Sequence, residues 1–197
     1  MRILNAAFKE FAEQGYEQAS TNRIVKEAGI GKGMLFYYFK SKEELFYYLI
    51  DFGINFIIDK YLNQLDESEQ DFIERHKQAA QVKMKALNEN PHVFSFFGTL
   101  YVNKMAELPG ELAARLIQVK ELADSKRLNN IDMSLFRDDV APELIFKLIQ
   151  WSLEGYEKEL INRLKGQKLT SVDYGPYWDE FYEFLAVLKK IFYKQEV

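Results

Sequence analysis

The chain has 197 residues, 48% hydrophobic and 28% charged, with a formal net charge of -4 and no cysteine. This length and apolar share suffice to bury a sizeable helical core, and the missing thiols exclude disulfides, thiolate catalysis and the Cys-bearing zinc sets together. The negative balance excludes a protein that coats nucleic acid indiscriminately. Residues 1–46 hold seven Lys/Arg against six Asp/Glu, so a nearly neutral N-terminal part sits on an acidic remainder. Any nucleic-acid binding must therefore lean on placed contacts more than on bulk field.

Ile3, Leu4, Ala7, Phe8 and Phe11 recur at three and four residues, which predicts a first helix that Gly15 terminates. No secretory signal is expected from a start in which Arg2 is followed by Asn5 and Lys9, and the greasiest stretch, Leu45 to Ile58, is interrupted by Asp51 and Asn55. A cytoplasmic protein is expected. The next stretch, Ser20 to Leu45, reads STNRIVKEAGIGKGMLFYYFKSKEEL, two short helices joined by a tight turn and followed by a third helix start. Ser20 or Thr21 can cap the first through a hydroxyl, Gly29 ends it, and Ile30 plugs the angle between the two. The second is predicted over about Gly31 to Phe39, with Leu35 and Phe39 inward at four-residue spacing.

That register leaves Lys32, Gly33, Met34, Tyr37 and Tyr38 outside. A solvated face seldom holds a Met and two tyrosines beside a lysine unless something covers it. A groove of DNA would cover it. Lys32 can meet a phosphate or a guanine edge, Met34 and Tyr37 can touch base edges or a thymine methyl, and Tyr38 can donate to a phosphate. Gly33 costs about 1 kcal/mol relative to alanine in a helix, and close backbone approach would explain it. The competing readings are an ordinary aromatic core for YYF, and a phosphate-cradling loop for GIGKG. The second lacks both the P-loop spacing and a preceding strand.

The stretch resembles the N-terminal domain of the TetR/AcrR family of bacterial transcription regulators, whose pattern runs T-x-x-x-I-A-x-x-A-G-V-S-x-G-x-L-Y-x-H-F-x-x-K-x-x-L. Ile24, Ala28, Gly29, Gly33, Leu35, Phe39, Lys42 and Leu45 match in register, while Val25, Ile30, Gly31, Phe36 and Tyr38 depart from it. Gly31 loses a capping hydroxyl, and Phe36 loses a phenol that in the family usually bonds phosphate. The resemblance implies that Lys42 meets backbone phosphate. It also implies a DNA-binding set of Thr21, Lys32, Gly33, Met34, Tyr37, Tyr38 and Lys42, with no minor-groove arm before the first helix.

Ser41 and Glu44 form a capping box, so a fourth helix starts at Lys42 and runs to about Leu62, linking the reading helices to the body. Further helices are predicted over 68–89, 92–105, 110–127, 142–165 and 176–194, nine in all, for an all-α chain with a helix-turn-helix domain at 1–46 and an effector-binding and dimerisation domain at 47–197. The helix from Pro142 is apolar on two faces. Its line Ile145, Ile149, Ser152 and Tyr156, with Phe181, Phe184 and Leu188 of the last helix, is taken for the four-helix dimer interface that the resemblance implies. Phe94, Phe97, Tyr101 and Met105, faced by Trp151 or Tyr156, are the candidate lining of a pocket for a small, largely apolar effector.

No spacing supplies a catalytic set, a cofactor motif or a metal site, and His76 and His92 lack ligand partners at helical spacing. The reading is a homodimeric repressor released from a double-stranded operator by its effector. The alternatives are an effector-independent DNA-binding protein of chromosome organisation or division, and an all-helical enzyme.

Overall fold

The computed structural model describes residues 2–103 and 108–195, the side chains of 101–103 and 170 excepted. Nine α-helices follow one another among them: α1 (Arg2–Gln18), α2 (Thr21–Ala28), α3 (Lys32–Tyr38), α4 (Lys42–Lys60), α5 (Phe72–Glu89), α6 (Pro91–Asn103), α7 (Gly110–Leu128), α8 (Pro142–Leu164) and α9 (Gly175–Phe192). Among the described residues extended pairing is limited to one antiparallel bridge, Phe136 to Tyr193, so the all-helical expectation holds. Proline marks three of the starts: Pro91 and Pro142 open α6 and α8, and Pro176 sits in the first turn of α9. Proline fits there because its missing N–H has no intrahelical partner to lose. No helix among the described residues is long and apolar enough to cross a membrane.

The helices group into two units: Met1–Gln64, Met84–Leu122 and Gln167–Val172 form one, and Leu65–Lys83, Ala123–Gly166 and Asp173–Val197 form the other. In the first unit the predicted α1 stripe is the core, with Ala7, Phe8 and Phe11 buried. Gly15 breaks the helix at φ 68, a left-handed value open to glycine. From α6, Phe96 enters this core with its ring 5.3 Å from Phe8, 5.5 Å from Phe46 and 6.4 Å from Phe11. Gly53 lets α4 close on α6, because a Cβ there would fall 2.4 Å from the Phe97 ring. Thr99 fixes the register by donating to the Ala12 carbonyl at 3.2 Å.

The second unit buries Phe72, Ile73, Phe136, Ile145, Ile149, Leu185, Leu188 and Tyr193. Arg75, 3% exposed, has no carboxylate at its guanidinium. It donates instead to the carbonyls of Glu67, Glu69, Lys126 and Asn129, clamping the segment before α5 to the end of α7. Asp71 caps α5 by accepting from the Ile73 and Glu74 N–H groups, and also takes bonds from Tyr193 at 2.7 Å and Lys189 at 2.8 Å. Burial works to raise its carboxyl, but these donors outweigh it and hold the group below its ordinary value.

The two apolar faces of α8 are used the other way round from the sequence expectation. Ile145 and Ile149 are fully buried and Leu188 nearly so, all within one chain, so they cannot form a subunit interface. Phe181 and Phe184 flank Tyr156 with centroids at 5.4 and 5.0 Å, and Ser152 donates back to the Leu148 carbonyl. The other line is the outward one, with Leu144 47% and Trp151 60% exposed, joined on α9 by exposed Val187 and Ile191. Periodicity shows two stripes but carries no label for which of them meets the chain's own core.

Candidate nucleic-acid interface

The supporting contacts of the reading pair come from α1. Glu10 accepts the Ser20 N–H and the Arg23 Nε, both at 2.8 Å, and so does the capping work expected of a hydroxyl. Ser20 holds the N-cap position in extended conformation without a side-chain capping bond. At the other end of α2, Gly29 adopts φ 65, and the Gly29 and Ile30 N–H groups return to the Lys26 and Val25 carbonyls. This closure needs a left-handed residue, which is what glycine supplies. It aims the chain directly into α3.

Within α3 only Leu35 is buried. Tyr37 is 82%, Tyr38 61% and Met34 51% exposed, and the two tyrosine rings stand edge to face at 5.2 Å. On the flank, the Lys32 ammonium lies 5.8 Å from the Phe36 ring centroid. Gly33 is exposed, and a Cβ built on it would meet nothing within 4 Å. Nothing within the chain therefore demands a glycine there. Lys26 and Lys40, also exposed, extend positive charge to either side of the helix. Sequence reasoning passed over both, because a lone lysine in a turn of α2 or after α3 has no periodic signature.

Lys42 differs from expectation. Its ammonium donates to the carbonyls of Tyr16, Glu17 and Ala19 at 2.9, 3.2 and 3.3 Å and lies over the Tyr16 ring at 4.7 Å. It thus closes the carbonyl end of α1, where a cation suits the helix dipole, and its three donor positions are directed at protein in this structure. The Ser41 and Glu44 box forms as expected on one side, with the Glu44 N–H bonded to Ser41 Oγ at 3.0 Å. The Glu44 carboxylate reaches one residue further back than expected, to the Lys40 N–H. Thr21, the remaining predicted contact, is half-buried at the first position of α2.

The expected effector residues are not one constellation. Phe97 packs edge to face with Phe96 at 5.3 Å and against Gly53, and Phe94 is half-buried on the same helix. Trp151 is on the outward face of α8 and lines no enclosed space, because nothing in the chain covers it. Tyr156 lies stacked on Phe184, its hydroxyl donating to the Tyr177 carbonyl at 3.3 Å. The Tyr101 side chain and Met105 lie outside the described residues.

Residues 3–49 match the family model described as "Bacterial regulatory proteins, tetR family". Two HTH-type transcriptional regulators of Staphylococcus aureus are 41% identical over 71 residues and 42% identical over 66 residues. The first match covers 36% of this chain and 38% of the relative, so the chain spans well under half the length of the curated relatives it matches. Among solved structures, the TetR family transcriptional regulator PfmR from Thermus thermophilus superposes with a TM-score of 0.64 at 17% identity, over 100% of this chain and 97% of that one. The ketosteroid transcriptional regulator KstR2 of Mycobacterium tuberculosis gives 0.62 at 19% identity, over 98% and 94%. FadR from Bacillus subtilis, solved in complex with stearoyl-CoA, gives 0.53 at 16% identity, over 94% and 96%. At such identities the likeness is one of fold.

Proposed function

We propose that this chain, which belongs to the TetR family of bacterial regulatory proteins, acts as a homodimeric repressor that a small-molecule effector releases from a DNA operator. The observation that carries the reading is the outward face of α3, where Met34, Tyr37 and Tyr38 stand exposed on a helix aimed by the Gly29 turn. Met34 and Tyr37 read base edges in a major groove, while Lys32, Tyr38, Lys26 and Lys40 hold phosphates. Thr21 and the open backbone at Gly33 come close to the DNA strand. Lys42 acts one step behind, holding the end of α1 in place.

Two reading helices must sit about 34–36 Å apart to meet successive turns on one side of the duplex. In this proposal the exposed Leu144, Trp151, Val187 and Ile191 form the subunit interface. The effector acts by its differential affinity for a dimer of different spacing. The aromatic joint of Phe96 with Phe8 and Phe46 is the transmission, because close-packed rings cannot slide independently and a shift of α6 carries α1 and α4 with it. The stearoyl-CoA bound by the B. subtilis neighbour is support for an effector with a large apolar part.

The test is selection of bound sequences from random duplex DNA, followed by fluorescence anisotropy on the selected site. Tyr37→Ala and Lys32→Ala should each weaken binding about tenfold, the scale of one or two lost contacts, with the dimer unchanged in sedimentation. Wild-type affinity in both variants would remove α3 as the reading element.

A further inference from the structure

One lysine lies where the amphipathic pattern of α5 has no place for it. At 100° per residue, Phe72, His76, Ala79, Ala80, Lys83 and Ala86 share one side of the helix. Phe72, Ala79, Ala80 and Ala86 are buried, and His76 is half-buried. The exposed positions Lys77, Gln81, Lys85 and Asn88 occupy the opposite side. Lys83 falls at the centre of the buried stripe, between alanines, and yet its side chain is exposed. Solvent therefore reaches the inward face of α5 at this point, through a recess that the small alanine side chains leave open.

The Lys83 ammonium has no hydrogen-bond or ion-pair partner among the described residues. Two charged groups of the same unit act on it from a distance, Glu157 of α8 favouring its charge and Arg127 of α7 opposing it. Arg127 is engaged, donating to Asp124 at 2.5 Å. Surrounding protein pulls the Lys83 amine below the ordinary lysine range, which agrees with a side chain wetted locally and enclosed at longer distance. A primary ammonium on an inward helix face, between methyl groups and without a carboxylate to satisfy it, keeps its hydrogen-bonding capacity unused.

We infer that Lys83 anchors the anionic group of an amphiphilic small-molecule effector in a recess on the inward face of α5. The inference deepens the reading of the chain as a ligand-responsive regulator and rests on it. The charged end of such a molecule meets Lys83, and its apolar part lies along Ala79 and Ala80.

The test uses the full chain without DNA and two fluorescent probes of similar shape, the sulfonate 1-anilinonaphthalene-8-sulfonate and its neutral counterpart N-phenyl-1-naphthylamine. Lys83→Met, which keeps length and loses charge, should weaken the sulfonate at least tenfold and leave the neutral probe within twofold. Lys83→Arg should retain sulfonate binding, and Lys77→Met on the outer face should change neither. Unfolding midpoints of the variants establish that each is folded. Equal sulfonate affinity in Lys83→Met, parallel loss of both probes, or no sulfonate binding to the wild type would overturn the assignment. Anisotropy on the selected DNA tests the regulator reading separately, since Lys83→Met should bind the operator as wild type does in the absence of probe.

Discussion

Gly33→Ala separates what the chain needs from what its ligand needs. Gly33 is the second residue of the seven-residue α3 and has no positive φ, and a Cβ there would meet no protein atom within 4 Å. The substitution therefore carries no steric cost in the free protein, and alanine is favoured over glycine in a helix interior by about 1 kcal/mol. So near the helix start, roughly half of that is realised, which for a chain of this size raises the unfolding midpoint by about 1–2 °C. On DNA the sign reverses. If phosphate or sugar lies against the bare Cα, a methyl group costs contact distance and about 1.4 kcal/mol, or tenfold in Kd. The assay pairs thermal unfolding by circular dichroism with anisotropy titration on the selected site. A less stable variant would refute the space argument, and a more stable variant with unchanged affinity would refute close backbone approach.

Lys42→Met should lower stability by about 1–2 kcal/mol, because three carbonyls at the end of α1 lose a charged donor; urea unfolding with an unchanged midpoint would return Lys42 to the phosphate-contact role. Phe36→Tyr restores a phenol at a partly exposed position of α3 and should tighten DNA binding and steepen its salt dependence, so a weaker complex in salt-titrated anisotropy would contradict the proposed strand contact. His76 is held down to about 4, first by burial and then by Arg127 and Arg75, against the opposing pull of its bond to the Phe72 carbonyl. An unfolded histidine titrates near 6.5, so the unfolded chain binds the extra proton between those values; stability is complete above about pH 6.5 and falls as pH drops toward 4. From pH 7.5 to 5 the loss is about 2 kcal/mol, and urea midpoints should show His76→Gln lacking that share. Asp71, lowered by its donors, loses its contribution only at more acid pH and does not obscure the comparison.

What was legible in the sequence follows from how local each signal is. The bounds of α2, α3 and the start of α4 could be read because Gly29, Ser41 and Glu44 act within four residues of themselves, and the inward Leu35 with the outward Met34 and Tyr37 follows from a single helical register. The role of Glu10 at the start of α2 could not, since its partners Ser20 and Arg23 are 10 and 13 residues away. Arg75 was invisible for the same reason: its carbonyl partners include Lys126 and Asn129, 51 and 54 positions on, and backbone acceptors leave no mark in a sequence.

The lysines make the same point about function. In the pattern Lys42 has a matching place and Lys83 has none, so the sequence favours Lys42 as the group that meets a ligand. The structure inverts the two, because a side chain's use is set by what lies within reach of its ammonium. Lys42 ends on three carbonyls and an aromatic face and has nothing left to offer. Lys83 ends in solvent on a helix face that is otherwise closed. Desolvating a lysine without a counter-charge costs several kcal/mol, so an inward lysine keeps its charge only where water or an anion replaces the lost hydration. Replacing that water with an anion is the change by which binding in the body can gain enough free energy to bias the DNA-reading end.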